Sequence, residues 1–217
     1  MQAPFTTEQF LEVILRYNEA VWPMQIVLYL LAGVLIWHAA RRSGRDRWAT
    51  LILAILWAWM GVAYHWLFFT GINPAAWAFG GFFVLQGLLF VIADRALAFR
   101  FDADAYGWVG ALFMVYALVL YPVLGAAAGH GYPDGPTFGL PCPTTIVTFG
   151  VLLWATRRVP VWLLAIPALW SLIGASAAFQ FGIREDYGLL LAGVVGTIMV
   201  LVKNRRLEGA VPTGAPA

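Results

Sequence analysis

The sequence predicts an all-α, polytopic membrane helix bundle of about seven transmembrane helices, with a short amphipathic helix at its N-terminus. Three observations support this fold class. The chain is 62% hydrophobic and only 11% charged, whereas soluble domains carry roughly 25% charged residues. Its apolar residues form long runs, and short clusters of basic residues separate these runs. This arrangement is typical of membrane orientation signals.

Composition also excludes several kinds of site. The net charge of +2 is small and the basic residues sit in short clusters between apolar runs, so we expect no nucleic-acid partner. A single cysteine, Cys142, leaves no possibility of a disulfide or a multi-cysteine zinc or iron–sulfur site within one chain. The first residues contain no basic segment followed by a small-residue cleavage pattern, and we expect no removable signal peptide.

Residues 1–20 predict a surface helix. Thr6 and Gln9 form a capping-box pattern at its start. The apolar residues that recur at helical spacing are Phe10, Leu11, Ile14 and Leu15. Such a helix either lies in the membrane interface or packs on its own protein, and the sequence leaves both interpretations open.

Seven apolar segments follow within a predicted bundle over residues 21–203. The predicted spans are about 21–40, 48–69, 75–93, 106–128, 143–156, 159–182 and 187–202. We expect residues 204–217 to form a disordered cytoplasmic tail.

The basic residues predict the orientation of these spans. One set of alternate loops and the C-terminal segment hold eleven of the 13 basic residues: Arg41, Arg42, Arg45, Arg47, Arg95, Arg100, Arg157, Arg158, Lys203, Arg205 and Arg206. The other side holds only Arg16 and Arg184. Because cytoplasmic loops retain Lys and Arg, we expect the N-terminus outside and the C-terminus in the cytoplasm.

Small residues predict how the last two spans pack. Gly174, Ala178 and Gly182 are spaced four apart in the sixth span, and Gly188, Ala192 and Gly196 repeat this spacing in the seventh. Such stripes allow two helix backbones to approach closely. We therefore expect the last two spans to form an antiparallel pair.

The fifth span is short for a membrane crossing. Only 14 residues separate Pro143 from Arg157, which gives ~21 Å of helix, whereas a crossing needs ~20 residues. The preceding residues, about 137–142, are flanked by prolines and cannot all be regular helix. Irregular backbone at membrane depth must be buried in protein or line a wet cavity. We therefore predict a re-entrant segment that carries Cys142 into the outer half of the membrane.

This geometry predicts a site in the outer half of the bundle. A helix that begins at Pro143 would place Cys142 near its N-cap, where the helix dipole favours an anion or a thiolate. His65 lies ~25 Å from the cytoplasmic end of the second span, at a similar depth, and Gly61 one turn below it would admit a close neighbour. The predicted solute-binding residues are His65, Cys142, Thr144 and Thr145, with Tyr64 and His130 near the mouth.

Structural explanations remain open for the same residues. A lone cysteine is often a buried, inert side chain. His65 could simply donate a hydrogen bond to a neighbouring carbonyl group, and His130 could be solvated at a helix end. No Asp or Glu lies in the middle of a span, which argues against a carboxylate-based proton or sodium relay.

Two stretches carry a resemblance to a known family. These are YHWLFFTGINPAA (64–76) and GHGYPDGPTFGLPCPTT (129–145). Through them the sequence resembles a bacterial family of uncharacterised multi-pass membrane proteins, over nearly the whole chain. The resemblance implies the bacterial inner membrane and implies no particular chemistry.

Three functions are compatible with these patterns. The first is a permease for a small solute or ion, because discontinuous helices in transporters point their N-termini at polar substrates. The second is a soft-metal site, for Cu(I), Hg(II) or Zn(II), that uses Cys142 with His65 or His130. The third is a sensor or assembly factor whose N-terminal helix and REDYG turn (184–188) contact a partner.

An intramembrane enzyme has weaker support. HExxH, GxSxG and GxxxxGK[ST] do not occur, and one thiol and one histidine lack an assigned acid. The seventh span has no lysine before Lys203 at its end, so it offers no Schiff-base site for retinal. The expected partners are the lipid bilayer and a small solute or ion, with a homo-oligomer left open.

Overall fold

The computed structural model describes residues 4–41 and 47–209, and over these ranges the chain is helical, without β-strands apart from isolated bridges. The α-helices are α1 (Thr7–Ala20), α2 (Met24–Ala40), α3 (Arg47–Trp59), α4 (Ala76–Ala93), α5 (Ala105–Val115), α6 (Tyr121–Ala127), α7 (Pro141–Leu153), α8 (Ala165–Phe181) and α9 (Tyr187–Gly209). π-helical turns at Met60–Trp66 and Tyr116–Leu120 extend α3 and join α5 to α6. Three 3₁₀ turns occupy Phe69–Gly71, Val161–Leu164 and Arg184–Asp186.

Several of these helical stretches are long and apolar enough to cross a membrane. Within the described ranges there are five, namely Arg47–Gly71, Ala76–Ala93, Ala105–Ala127, Val161–Phe181 and Arg184–Gly209. The pair α1–α2, bent by 86°, makes a sixth if it is counted as one broken span. Each of the seven predicted spans coincides with a helix, but α2 has 17 residues and α7 has 13. The number of crossings therefore stays a prediction.

The outward faces of the bundle are apolar. On α4, for example, Trp77, Leu88 and Ile92 are each more than half exposed, while Phe83 and Phe90 on the opposite face are buried. Soluble monomers rarely expose contiguous apolar surface on this scale. Lipid is the solvent that such a surface suits.

Helix α1 begins as predicted and packs on the protein. The capping box at Thr6 and Gln9 is confirmed, because each side chain bonds the backbone N–H of the other residue. Ile14 and Tyr17 on its apolar face are almost completely buried. The sequence left two interpretations open for α1, the membrane interface and packing on its own protein. The apolar face of α1 packs on the protein.

The short helix α7 lies at the centre of the bundle. Every one of its 13 residues is buried except Cys142, which is partly exposed. It contacts α3, α5, α8 and α9. A helix that is covered by protein on all sides has no need to match the thickness of the lipid, which explains its length.

Backbone groups at both ends of α7 find partners in the protein. At its C-terminal end, the Lys203 ammonium donates to the Leu153 carbonyl at 2.8 Å, and the Arg100 N–H donates to the Trp154 carbonyl at 2.9 Å. At its N-terminal end, the irregular residues Thr137, Phe138 and Leu140 are buried. Burial of this non-helical backbone is what the predicted re-entrant segment requires, although its depth in a membrane stays a prediction.

The start of α7 differs from the prediction. Pro141 is the first helical residue and Leu140 the N-cap, so the helix begins two residues before Pro143. Pro141 fits the first position as well as Pro143 would, since either proline lacks an N–H that needs a partner there. Cys142 therefore lies within the first turn.

Two pairs of glycines let helices cross closely. A Cβ atom on Gly110 of α5 would lie 2.6 Å from the Gly150 carbonyl oxygen of α7, and one on Gly150 would lie 2.7 Å from the Gly110 carbonyl oxygen. A Cβ atom on Gly61 would lie 2.7 Å from the Gly80 carbonyl oxygen of α4. The expectation that Gly61 admits a close neighbour is thus confirmed.

The last two helices pack together, but not through both predicted stripes. On α9, Gly193 faces Ser171 of α8. Gly188 and Gly196 instead face Tyr116 and Phe149. The glycines of α9 therefore face three different elements, namely α8, α7 and the π-helical turn between α5 and α6.

Basic residues gather at one end of the bundle. Arg100 and Lys203 both reach the C-terminal end of α7. Arg157 lies close by, with its guanidinium 3.5 Å from the Arg95 carbonyl oxygen. Arg42 and Arg45 lie outside the described residues. The clustering agrees with the charge pattern behind the predicted orientation, and the side of the membrane stays a prediction.

The predicted tail begins later than residue 204. Helix α9 continues to Gly209, because Asn204 is buried and exchanges two hydrogen bonds with the backbone of Val159, at 2.9 and 2.8 Å. Arg158 also forms an ion pair with Glu208. The remainder of the predicted tail, 210–217, lies outside the described residues.

Substitution of Gly150 tests the central crossing. We expect Gly150→Ala to lower the free energy of unfolding by about 1–3 kcal/mol, because the added methyl group overpacks a close backbone contact. Thermal unfolding of the purified protein in detergent, followed by tryptophan fluorescence, measures this change. Gly81→Ala on α4 is the matched control, since a Cβ there meets nothing within 4 Å. Equal stability of the two variants would contradict the crossing.

Candidate functional site

A cavity of about 460 Å³ lies beside the N-terminal end of α7. The basic cluster, which comprises Arg100, Arg157 and Lys203, lies at the opposite end of this helix. Its walls come from the N-terminal segment, α1, the turns after α3, α4, the start of α6, the stretch before α7, the start of α7, α8 and the turn before α9. Most of this lining is aromatic or aliphatic. Its volume lies within the range of about 300–1,000 Å³ that small-molecule sites occupy.

Few polar side chains interrupt this apolar wall. Those closest to the start of α7 are Tyr64, Tyr121, Cys142, Trp170 and Asp186. They come from five separate segments, which meet only because α7 is central. Convergence of a few polar groups in an apolar cavity is the usual pattern of a ligand site.

Asp186 provides the carboxyl group of the cavity. It ends the 3₁₀ turn before α9 and is only 3% exposed. The Tyr121 hydroxyl donates a short hydrogen bond to its Oδ1. The thiol of Cys142 lies against the same carboxyl group and against the indole of Trp170. The Trp170 Nε1 group is buried and has no hydrogen-bond partner among the described residues.

A second carboxyl group lies directly behind the first. Glu185 is 1% exposed, and its Oε1 lies 2.8 Å from His130 Nε2. The Tyr116 hydroxyl donates to the Glu185 backbone carbonyl at 2.7 Å. His130, predicted near the mouth of the site, is thus engaged by Glu185 and does not line the cavity.

His65 also lies behind the wall of the cavity. Its ring is completely buried and packs on Phe83 and Trp170, with centroid distances of 4.7 and 5.2 Å. Neither ring nitrogen has a hydrogen-bond partner in the part of the chain that the structure describes. The neighbours Tyr64 and Phe79, rather than His65, reach the cavity. The suggested bond from His65 to a neighbouring carbonyl is therefore not present.

The hydroxyl groups of the two predicted threonines bond the backbone of α7 and of the stretch before it. Thr145 donates to the Pro141 carbonyl at 2.7 Å, and Thr144 accepts a bond from the Gly139 N–H at 3.3 Å. Both are completely buried and neither lines the cavity. Of the predicted site residues, the structure brings Tyr64 and Cys142 to one cavity.

The predicted metal ligands are engaged elsewhere. Cys142 faces Asp186, His130 pairs with Glu185, and His65 packs among aromatic rings. Among the residues that the structure describes, no three His, Cys, Asp or Glu side chains are grouped so that they could hold a metal ion.

Four phenylalanines cover the cavity, and we call this cluster the aromatic lid. Its members are Phe5, Phe10, Phe69 and Phe181, all of which line the cavity. Phe181 packs on Phe5 at 5.0 Å and on Phe10 at 5.5 Å between ring centroids. The lid joins the N-terminal segment and α1 to the end of α8.

Sequence reasoning missed Asp186, Tyr121 and Trp170. Asp186 lies in a charged turn between two spans, a context typical of solvated residues, and Tyr121 and Trp170 resemble ordinary packing aromatics. One feature of the sequence could have pointed to Asp186. The turn at 184–186 is predicted to lie on the same side of the membrane as Cys142. Asp186 lies at the end of a predicted gap between spans, so the absence of Asp and Glu from the middle of the spans did not bear on it.

Comparison with known proteins places the chain in a family. Residues 7–210, which include all of α1 to α9, match a family of unknown function (DUF6064). The chain belongs to this family. No curated protein and no solved structure matches the chain.

Removal of part of the aromatic lid should expose Cys142. We expect Phe5→Ala combined with Phe10→Ala to raise the rate of N-ethylmaleimide addition to the thiol by about tenfold, since lost aromatic contacts of ~1–1.5 kcal/mol favour the open cavity. Mass spectrometry of this single cysteine provides the rate. Phe82→Ala on the exposed face of α4 is the control. Unchanged labelling in the double variant would show that these rings do not close the cavity.

Two histidine variants should change stability in opposite directions. We expect His65→Phe to raise the free energy of unfolding by ~1 kcal/mol, because it removes two buried nitrogens without partners. His130→Phe should lower it, because Glu185 loses its partner in a buried site. Chemical denaturation in detergent compares them. A similar loss in both variants would mean that His65 makes a stabilising polar contact.

Proposed function

We propose that the protein is a multi-pass protein of the bacterial inner membrane that acts as a permease for a small organic solute. The observation that carries this proposal is the cavity of about 460 Å³ at the start of α7. Its lining combines aromatic walls with Asp186, Tyr121 and Cys142. A solute with an apolar body and one polar head fits such a lining.

The position of the cavity supports movement of the solute rather than storage. It lies at the end of the bundle away from the basic cluster, which the charge pattern predicts to be the outer end. Its floor is the start of the short helix α7, and a discontinuous helix at a binding site is a recurrent feature of transporters. Its cover is the aromatic lid, so α1 is the element that would admit solute.

The proposed solute site includes only some of the residues that the sequence predicted for it. Cys142 and Tyr64 remain as wall residues, and Asp186 and Tyr121 join them. His65, His130, Thr144 and Thr145 take supporting positions behind the wall. A substitution of Asp186 should therefore affect the solute more directly than one of Thr144 or Thr145.

The geometry does not favour the other two hypotheses. A soft metal at Cys142 would need additional ligands, but His65 and His130 face other groups. The sensor hypothesis keeps an exposed face on α1 and the exposed side chains of Arg184 and Tyr187, but the acidic pair Glu185 and Asp186 is buried and not available to a partner. A homo-oligomer stays compatible with the exposed helix faces.

Uptake by proteoliposomes tests the permease. Two solutes of similar shape and opposite charge, (2-phenoxyethyl)trimethylammonium and 2-phenoxyethanesulfonate, cross lipid slowly without help. We expect at least one radiolabelled solute to enter proteoliposomes about tenfold faster than protein-free liposomes, which corresponds to ~1.4 kcal/mol in the barrier. Asp186→Asn should reduce this uptake.

The control variant for uptake is Asp102→Asn. Asp102 is an exposed carboxylate that pairs with Arg100, in the basic cluster. The Asp102→Asn substitution removes one carboxylate, as Asp186→Asn does, but at a position that does not line the cavity. Failure of both solutes to enter faster than in protein-free liposomes would overturn the permease function for this class of solute.

A further inference from the structure

We propose that the cavity selects organic cations, specifically a small ammonium compound with an apolar body and a hydrogen-bond acceptor. This inference rests on the proposed solute site and assigns its chemical class. Four features of the lining support it, namely its charge, the start of α7, its aromatic surface and one free donor.

The residues that line the cavity supply a carboxyl group and no positive charge. Asp186 contributes a carboxyl group, and no lysine, arginine or histidine is among the residues that line the cavity. Within the described ranges no basic side chain forms an ion pair with Asp186, and His130 is engaged by Glu185. A buried carboxylate without a counterion is costly. A bound ammonium group would supply the missing countercharge.

The start of α7 does not favour an anionic solute. A helix N-terminus binds anions through free N–H groups and its partial positive charge. Here Pro141 and Pro143 remove two of the N–H groups in the first turn. The carboxyl group of Asp186 already lies against Cys142 in that turn. The protein itself therefore provides the anion at this helix end.

The aromatic surface suits a cation with an apolar body. Tyr64, Tyr121, Phe79 and Trp170 all line the cavity. Aromatic faces attract ammonium groups, and cages of such rings recognise quaternary ammonium ligands. The same rings bury hydrocarbon, so the apolar part of the solute is accommodated by the rest of the wall.

The indole of Trp170 is the independent sign of a ligand. Trp170 is 8% exposed, and no acceptor among the described residues meets hydrogen-bond geometry with its Nε1–H, which lies against the weakly accepting sulfur of Cys142. A buried donor without a partner costs ~1–3 kcal/mol. It lies close to Cys142 at the cavity wall. An ether, ester or hydroxyl oxygen on the solute would accept this hydrogen bond.

Three probes that share one scaffold test the assignment. They are the cation (2-phenoxyethyl)trimethylammonium, its uncharged isostere 3,3-dimethylbutyl phenyl ether and the anion 2-phenoxyethanesulfonate. Each is titrated against the purified wild-type protein in detergent, and occupancy is measured as protection of Cys142 from N-ethylmaleimide. We expect the cation to bind at least about tenfold more tightly than either of the other probes.

Substitution of Asp186 locates the source of this selectivity. In Asp186→Asn the preference for the cation over the uncharged ether should fall to within about twofold, while the affinity for the ether is retained. Asp102→Asn should keep the wild-type preference. Because the comparison of the three probes needs no variant, it remains decisive even where Asp186→Asn does not fold.

Each outcome bears on one proposal. Binding of the ether or the sulfonate as tightly as the cation overturns the cation assignment and leaves a solute site standing. Absence of protection by all three probes overturns the site itself. A preference for the cation that persists unchanged in Asp186→Asn overturns the role of this carboxyl group.

Discussion

The enclosure of α7 by other helices is the constraint on which the rest of the structure depends. A helix of 13 residues is too short to face lipid over a full membrane thickness, so its surface and both its ends must be covered by protein. Gly110 and Gly150 permit the close approach of α5 that this cover needs. Lys203 and Arg100 satisfy carbonyl groups at its C-terminal end.

This central position also creates the cavity. The neighbouring helices extend past the start of α7, and the space above that start is lined by their inner faces. Cys142, the one residue of α7 that is not fully buried, borders this space together with Asp186 and Tyr121. The Tyr121 hydroxyl and the Asp186 carboxyl group bond each other there, whereas the indole N–H of Trp170 has no hydrogen-bond partner among the described residues. The cavity is thus a consequence of how the bundle is built.

Much of the local structure could be predicted from the sequence. The capping box at Thr6 and Gln9, the close approach at Gly61 and the unusual length of the fifth apolar segment follow from rules that involve neighbouring residues only. The candidate site was less predictable. Cys142 and Tyr64 were identified because prolines and span ends mark them, but His65 was placed in the site from depth alone. Depth along a helix does not fix the direction in which a side chain points.

The sequence by itself determined that this chain is an apolar, all-helical protein of a family of unknown function, with helices long enough to cross a membrane. Composition and periodicity suffice for the apolar, helical character, because they report which solvent each segment prefers. Only the tertiary structure decided that Glu185 and Asp186 are buried and that His65 lies behind the cavity wall. The burial of a charged turn depends on which helices surround it, and that arrangement arises from contacts between residues far apart in the chain.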